Sequence, residues 1–232
     1  MFRKRSYQKE LLDNLEIPRL DLYQNLKELE FINKWLGGHD ISIQGIKTII
    51  NKLPKDKINL LDIGCGGGDN LRAIRKIFEK DKSILNLNGA DLNTNCIQYA
   101  IEKSKAYPEI NYFCDDFRNV LYTNPYIIHA ALFFHHFHDS EISGFLSQAK
   151  AHHCFIIIND LERNPIAYYA IKLLTKIFSK SYLVKNDAPL SVLRGFKKKE
   201  WKEILYKAGI KNYTIKNKWA FRHLILIYPN ER

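Results

Sequence analysis

The 232-residue chain contains little cysteine, and its apolar residues form no long uninterrupted run. A membrane-spanning helix needs roughly 18 consecutive apolar residues, and no segment approaches that length. The four cysteines lack C-x-x-C spacing, so they predict buried thiols in a reducing compartment rather than a disulfide set or a zinc site. The basic amino terminus, Met1 to Arg5, is not followed by the apolar stretch of a signal peptide. These absences favour a cytoplasmic globular protein without a metal site.

The most informative segment lies between residues 60 and 70, where four glycines occur within five positions. An apolar run ends at Ile63 after the acidic Asp62, and apolar residues at helical spacing follow the glycines, beginning with Leu71 and Ile74. This order predicts a strand, a tight turn and a helix, which is the form of a nucleotide-binding loop in a doubly wound α/β domain. Glycine is needed because the turn requires unusual backbone angles and because a side chain would hold the ligand away from the backbone.

The residues around the glycines exclude two common nucleotide loops. A phosphate-binding loop ends in Gly-Lys-Ser/Thr, whereas here Gly68 is followed by Asp69 and Asn70. A dinucleotide loop has the spacing G-x-G-x-x-G, whereas here the repeat is Gly64, Gly66 and Gly68. An acid followed by G-x-G-x-G resembles the first motif of the class I S-adenosylmethionine (SAM) methyltransferases. The resemblance implies that SAM binds at this turn, leaving as S-adenosylhomocysteine (SAH), through the residues Asp62, Gly64, Cys65, Gly66 and Gly68.

Acidic residues after the next two predicted strands extend the resemblance. The apolar-rich segment 84–90 ends at Asp91, and the resemblance implies that Asp91 accepts hydrogen bonds from both ribose hydroxyls. A third strand, 110–113, is followed by Asp115 and Asp116. The resemblance implies that an acid here accepts a hydrogen bond from the adenine amino group, and the distance from the strand favours Asp116 over Asp115. In the resembled family the residue after this acid packs on the adenine ring. The other residues assigned to the cofactor are Leu92, Phe117 and Phe133.

A histidine pair follows the fourth predicted strand. Residues 127–134 are mostly apolar and lead into His135 and His136, which resembles the fourth-strand segment of small-molecule methyltransferases. Many relatives carry an acid at the start of this strand, where this chain has Tyr126 or Ile127, so one charged contact is missing. Histidine is a suitable base because its pKa lies near neutrality. Each histidine is therefore a candidate to remove a proton from the acceptor, with ordering of the loop as the alternative.

Two further candidates follow the predicted fifth strand, 154–158. Ligands of such sheets bind beyond the carboxyl ends of the strands, so polar residues at this end are placed near the substrate. Asp160 and Arg163 are candidates to orient the acceptor or to bind a carboxylate. The alternative is an ion pair that holds the loop.

Helical periodicity divides the chain into an amino-terminal extension, 1–54, and a catalytic domain, 55–232, with an inserted helical lid at about 160–195. The extension is predicted to cap the cofactor cleft, with ordinary packing against the sheet as the alternative for most of its leucines. The expected fold is α/β, a Rossmann-like doubly wound sheet, mostly parallel with an antiparallel C-terminal strand, plus the N-terminal helical cap. The other predicted segments are helices 8–17, 20–36, 42–53, 140–150, 166–180 and 197–208, a loop 181–195, and strands 212–218 and 220–228.

The positive charge is concentrated in the last third of the chain. Residues 1–162 contain 20 Lys and Arg against 21 Asp and Glu, whereas residues 163–232 contain 16 against 4. Such an asymmetry indicates an anionic partner (nucleic acid, a membrane surface or an anionic substrate), with a solvated face as the alternative. A lysine recurs at every fourth position of the predicted lid helix. Weak peripheral contact with an anionic membrane therefore stays an alternative. These lysines are Lys172, Lys176 and Lys180.

Four segments narrow the resemblance to bacterial small-molecule methyltransferases of the ubiquinone/menaquinone type or of polyketide and aromatic-lipid pathways. The segments are 35–38, 133–137, 159–165 and 187–194. The implied function is transfer of a methyl group from SAM to a small aromatic or lipid-like acceptor, by O-methylation of a phenol or hydroxyl with histidine-assisted deprotonation. The methylated atom (O, N or C), the acceptor and the oligomeric state stay open.

Two other functions are considered. The charge favours an RNA methyltransferase, and Asn124-Pro125-Tyr126 faintly resembles the N/D-P-P-Y/F motif of enzymes that methylate amino groups. That motif follows the fourth strand, whereas the segment here precedes it and lacks the middle proline, and the sequence contains no recognisable RNA-binding module. We therefore predict a turn at this segment and no nucleic-acid partner. A SAM-binding protein without catalytic activity is the third alternative.

Overall fold

The computed structural model describes residues 2–53, 57–81, 85–123 and 126–229, and these ranges contain one sheet of seven strands. The strands are β1 (Ile58–Ile63), β2 (Leu85–Asp91), β3 (Asn111–Cys114), β4 (Ile127–Ala131), β5 (Phe155–Leu161), β6 (Tyr213–Lys218) and β7 (Arg222–Ile227). Their order is β3-β2-β1-β4-β5-β7-β6, and β7 pairs antiparallel with β5 and β6 while the other pairs are parallel. The predicted Rossmann-like doubly wound sheet with an antiparallel C-terminal strand is confirmed.

Helices cover both faces of the sheet. Within the described ranges they are α1 (Arg19–Trp35), α2 (Gly38–Ile50), α3 (Asp69–Ile77), α4 (Thr94–Lys103), α5 (Asp139–Ala151), α6 (Pro165–Phe178), α7 (Tyr182–Arg194) and α8 (Lys198–Lys207). Along β5, Ile156 and Ile158 pack in one apolar cluster with α5 and α8, whereas Ile157 packs in a second cluster with α2 and α3. This alternation is the period of two of a strand that is buried on both faces.

Helix α2 lies directly on the sheet. A Cβ placed on Gly45 would lie 2.8 Å from Ile157 and 3.1 Å from Leu224, so the absence of a side chain permits this close approach. The apolar residues of α2 share the core cluster of the sheet. Packing against the sheet therefore describes α2, whereas a cap formed by the whole of residues 1–54 stays a prediction.

The predicted helix at residues 8–17 is wrong. The segment contains a single 3₁₀ turn, Leu11–Asp13, and the N–H groups of the first two residues of this turn donate to the Asp187 carboxylate, each at 2.9 Å. Because a distant side chain satisfies these N–H groups, the segment does not need a helix to satisfy them. Regular helix begins only after Pro18, with α1.

The predicted loop at residues 181–195 is also wrong, since most of it is helix α7. The turn-forming residues at 186–189 favour a loop in the sequence. In the structure Ser181 Oγ accepts a hydrogen bond from the Val184 N–H at 3.4 Å and caps the helix. Burial of Leu183 and Leu190 then stabilises the helical conformation despite these residues.

Two strand ends differ from the prediction, and both differences shape the site. The fourth strand, predicted at 127–134, ends at Ala131 because Leu132 has a φ of 52° and turns the chain into the 3₁₀ turn Phe134–His136. The fifth strand extends past its predicted end and takes Asp160 into the strand. Several predicted positions lie outside the described residues: the domain boundary at 54–55, the strand start at 84, and Asn124 and Pro125.

Candidate active site

Two adjoining cavities lie at the carboxyl ends of the parallel strands, where ligands of doubly wound folds bind. The loop cavity, of about 530 Å³, is lined by residues 64–67 and Asp91 together with residues of α1. The apolar cavity, of about 570 Å³, is lined mainly by apolar side chains of α1, α6 and α7, with His135 in its wall. The residues that line both are Leu12, Leu29, Leu132 and His136.

The glycine turn between β1 and α3 adopts backbone angles that glycine takes readily. Gly64, Gly66 and Gly68 have φ values of 63°, 50° and 72°, all in the left-handed region. A Cβ on Gly64 would lie 2.0 Å from the Phe133 ring. The turn therefore has the geometry that the sequence predicts, and Phe133 lies directly against it.

Asp91 ends β2 with its carboxylate directed at the glycine turn. The carboxylate accepts hydrogen bonds from the backbone N–H groups of Gly66 and Asn93, each at 2.9 Å. Burial raises the pKa of Asp91, and these two hydrogen bonds oppose that rise. A carboxylate has about four lone-pair sites, so Asp91 keeps acceptor capacity in the cavity. Leu92 and Cys65, also assigned to the cofactor, line the same cavity.

Asp62 lies below the turn, outside the described lining of either cavity. Its carboxylate contacts Nδ1 of His129 at 2.7 Å, and Nε2 of His129 contacts Ser42 Oγ at 2.8 Å. Burial raises the pKa of Asp62 although His129 opposes it. This buried network ties β1 and β4 to α2, so the geometry supports a positioning role, and direct contact of Asp62 with a cofactor stays a prediction.

Asp116 and Phe117 are also outside the described lining of the loop cavity. The Asp116 carboxylate pairs with Arg118, and the hydrogen bond from Arg118 lowers its pKa. The Phe117 ring is buried with its centroid 5.2 Å from that of Phe133 and 4.5 Å from that of Phe137. Phe117 therefore supports the cavity wall from behind, and contact of this pair with adenine stays a prediction.

His135 and Asp160 form a buried pair at the wall of the apolar cavity. The Asp160 carboxylate lies 2.7 Å from Nδ1 of His135. Although burial alone would raise it, the His135 ring lowers the pKa of Asp160. An ionised carboxylate only accepts hydrogen bonds, so Nδ1 carries the proton and Nε2 keeps a free lone pair in the neutral ring. Of the sequence candidates, these two are brought together in a base-like arrangement.

Glu10 reaches this pair from the N-terminal segment. Its Oε1 lies 3.7 Å from Nε2 of His135, and its Oε2 lies 3.9 Å from Nε2 of His136. Ser191 Oγ donates a hydrogen bond to Oε1 at 2.9 Å. Burial raises the pKa of Glu10 to about 7, although His136 and Arg194 oppose the rise. Sequence reasoning missed this residue, because its partners lie far away along the chain.

Asp13 and Arg194 orient the second histidine. Nδ1 of His136 donates to Asp13 at 2.7 Å, and Nη1 of Arg194 donates to Asp13 at 3.0 Å. Although burial alone would raise it, the His136 hydrogen bond and the neighbouring charges lower the pKa of Asp13 to about 2. Arg194 also donates to the backbone carbonyls of His135 and His136, at 3.0 and 2.7 Å. The histidine turn is thus held from α7 and from the N-terminal segment together.

Arg163 lies outside the described lining of both cavities. Its guanidinium donates to both carboxylate oxygens of Glu200, at 3.0 and 2.6 Å, and to the carbonyls of Gly195 and Phe2, at 2.6 and 3.0 Å. The side chain is fully buried. The ion-pair alternative therefore describes Arg163, and contact with an acceptor stays a prediction.

The glycine turn after β1, the acid that ends β2 and the sheet order define the class I methyltransferase fold. Residues 60–153 match the family model described as a methyltransferase domain. The class expected from the sequence is thereby confirmed. Within the described ranges, no helix combines the length and apolarity that crossing a membrane requires.

Similar proteins are methyltransferases of several kinds. Human N-acetylserotonin methyltransferase, solved in complex with SAM, has a TM-score of 0.67 at 15% identity, over 96% of this chain and 60% of that one. The plantazolicin methyltransferase BpumL, solved with SAH, has a TM-score of 0.65 at 16% identity, over 94% of this chain and 99% of that one. At these identities the likeness shows the fold.

The sequence is also similar to a mitochondrial ubiquinone biosynthesis O-methyltransferase of Saccharomyces cerevisiae. The two are 33% identical over 81 residues, which is 33% of this chain and 24% of the yeast protein. The match therefore spans about a quarter of that relative's length.

Proposed function

We propose that the chain transfers the methyl group of SAM to a hydroxyl of a small aromatic or lipid-like acceptor, with His135 as the base. One observation carries the proposal: Nδ1 of His135 is held by buried Asp160, while the ring lines the apolar cavity beside its junction with the loop cavity. A fixed base at the junction of a cofactor site and an apolar site suits proton removal from an apolar acceptor.

The loop cavity fits SAM in size and in chemistry. Its volume of about 530 Å³ lies within the range of small-molecule sites. The remaining lone pairs of Asp91 suit the two ribose hydroxyls, and Gly66, half-buried in the cavity wall, has no side chain to prevent close approach. Similar structures contain SAM or SAH. When bound, SAM supplies a methyl group that its sulfonium already activates for in-line displacement.

The histidine centre supplies the proton chemistry. With SAM held at the glycine turn and Asp91 as the methyl donor, Nε2 of His135 would take the hydroxyl proton of the acceptor. The resulting imidazolium is stabilised by Asp160 at Nδ1 and by the Glu10 carboxylate, 3.7 Å from Nε2. Apolar side chains around the acceptor exclude water and hold it in position.

Incubation with labelled SAM tests the function against its two alternatives. The proposal expects saturable label transfer to members of a phenol and quinol library. Saturable methylation of total RNA or DNA without small-molecule turnover would favour a nucleic-acid methyltransferase, which the charge of residues 163–232 suggests. SAM binding by calorimetry without turnover on any acceptor class would favour a non-catalytic SAM-binding protein.

A further inference from the structure

The outer face of helix α6 is apolar and exposed. Ile166, Tyr169, Leu173 and Ile177 recur at spacings of three and four residues, and each is between 60% and 68% exposed. At 1.5 Å per residue the helix is about 21 Å long. Contiguous exposed apolar surface of this kind marks an interaction site in soluble proteins.

An apolar groove borders this face and leads to the histidine centre. The groove has a volume of about 510 Å³, and its walls include Phe31 and Trp35 of α1 and Leu174 and Phe178 of α6. It continues into the apolar cavity, because four residues line both. These are Ile32, Leu36, Ile171 and Leu174.

Lysines surround the groove and the apolar face. Lys172, Lys176 and Lys180 are exposed on or just after α6, and Lys27 lines the groove from α1. Glu28, a carboxylate in the groove wall, accepts hydrogen bonds from two backbone N–H groups that follow α6, at 3.0 and 3.1 Å. Its charge is therefore engaged within the protein, whereas the four lysine side chains are exposed. Nζ of Lys172 lies 5.6 Å from the centroid of the Tyr168 ring.

We propose that α6 and the adjoining end of α1 dock on an anionic lipid bilayer, and that the groove admits the apolar part of the acceptor from the bilayer. The docking face consists of Phe31, Trp35, Ile166, Tyr169, Leu173, Ile177 and Phe178. A helix with apolar residues on one side and lysines at its flanks lies in the plane of the membrane interface, where tryptophan and tyrosine side chains are also favoured. The docking stands independently of the proposed function, whereas the acceptor path rests on it.

A bilayer fits this face better than a second copy of the chain. In a two-fold contact the same patch meets itself, so the lysine rows of both copies would approach each other with like charge. Such a contact would also cover the groove. Anionic headgroups instead neutralise the lysines and leave the groove open to the apolar phase.

Vesicle flotation with the full chain tests the docking. Vesicles of phosphatidylcholine with phosphatidylglycerol should bind the protein, and vesicles of phosphatidylcholine alone should bind it more weakly. The Leu173→Glu/Ile177→Glu variant should reduce partitioning about tenfold or more, because two side chains lose their apolar burial. The Lys172→Gln/Lys176→Gln/Lys180→Gln variant should reduce it about fivefold per lysine at low salt, and salt at about 1 M should remove most of that difference.

Matched variants on α8 control for general effects of charge and surface. Tyr206 is 84% exposed, so Tyr206→Glu adds a charge at an exposed apolar position away from the docking face. Lys198→Gln/Lys199→Gln/Lys202→Gln removes three exposed lysines there. Both should bind vesicles within about twofold of wild type. Thermal unfolding by circular dichroism checks that every variant is folded, as expected for exposed positions.

Two results would overturn the docking. One is unchanged flotation of the folded Leu173→Glu/Ile177→Glu variant. The other is a wild-type protein that is a dimer by light scattering and does not bind vesicles, together with a monomeric Leu173→Glu/Ile177→Glu variant.

A water-soluble phenol acceptor separates the docking from the proposed function: wild type and variant should turn it over equally without vesicles. Absence of turnover by both would count against the proposed function alone.

Discussion

The carboxylate of Asp160 accepts two hydrogen bonds from His135, one from Nδ1 at 2.7 Å and one from the backbone N–H at 3.2 Å. Both residues are buried. The pair therefore sets the orientation and the tautomer of the ring before an acceptor arrives. Changes at either residue should act on proton transfer rather than on cofactor affinity.

His135→Gln should lower kcat by about 10²–10⁴-fold, the usual contribution of general base catalysis, with SAM affinity within about twofold of wild type. Single-turnover kinetics and calorimetry measure the two quantities. Unchanged kcat would show that His135 is not the base.

Since Glu10, His135 and His136 place ligand atoms within 4.8 Å of one another, the assay includes EDTA. Loss of activity on chelation would indicate that the histidines hold a metal instead.

Asp160→Asn should lower kcat about tenfold or more, and should move the basic role of His135 to lower pH, because the imidazolium loses a buried negative partner. The pH profile of kcat is the measurement, and it separates this positioning role from a loss of fold. A variant that lost only stability, with an unshifted pH midpoint, would contradict the assignment. Thermal unfolding of the variant is the accompanying control.

Asp91→Ala should weaken SAM binding by about 1–3 kcal/mol, because the cofactor loses hydrogen-bond acceptors for its ribose hydroxyls. Calorimetry at neutral pH measures the change. Asp116→Ala, measured in parallel, tests whether Asp116 contacts adenine. In the structure its carboxylate is paired with Arg118. Unchanged affinity in the Asp91 variant would rule out its contact with the ribose.

Glu10 should make the protein less stable as pH rises from about 4.5 to about 7. Its pKa rises from 4.5 to about 7 on folding, so the folded state binds the proton more tightly and the stabilisation is lost as pH rises through the folded pKa. Glu10→Gln should remove this slope and gain on the order of 3 kcal/mol relative to wild type above pH 7, at about 1.4 kcal/mol per pKa unit. Urea unfolding at several pH values measures it. Parallel slopes for the two proteins would show that Glu10 titrates normally.

Arg163→Met should reduce the free energy of unfolding by about 3 kcal/mol, since Glu200 loses its ion-pair partner and the carbonyls of Gly195 and Phe2 lose a donor. The activity of the folded fraction should stay near the wild-type value, because Arg163 lies outside the described cavity walls. Denaturant unfolding and active-site titration measure the two effects. The Arg163→Met/Glu200→Gln variant, which removes the unpaired charge, should recover part of the stability. A fall in kcat with unchanged stability would instead support contact between Arg163 and the acceptor.

The sequence predicted the elements whose signal is local. The glycine turn follows from its own residues, and the neighbouring strands follow from apolar runs of the right length. The position of Asp91 at the end of a strand could be predicted for the same reason. The histidine centre was predicted only in part, because Glu10 and Asp13 meet His136 across more than a hundred residues. The pattern of apolar and polar residues near residue 10 does not indicate such contacts.

The errors have the same physical cause. Local propensity at residues 186–189 favours a turn, but burial of Leu183 and Leu190 in the assembled protein outweighs it. For Arg163, the sequence left both an acceptor role and an ion pair open. Its actual partner, Glu200, lies on α8, which no motif in the sequence connects to it.

The N-terminal segment also sets the order in which the site can form during synthesis. Glu10 and Asp13 leave the ribosome long before Ser191 and Arg194, which hold them in the finished protein. Closing such a long loop is slow compared with forming local turns. A nascent chain halted before α7 would therefore contain every residue of the glycine turn and both histidines. It would lack Ser191 and Arg194, which hold the residues that orient the histidines. Emergence of α7 from the ribosome is therefore required before Ser191 and Arg194 can hold Glu10 and Asp13.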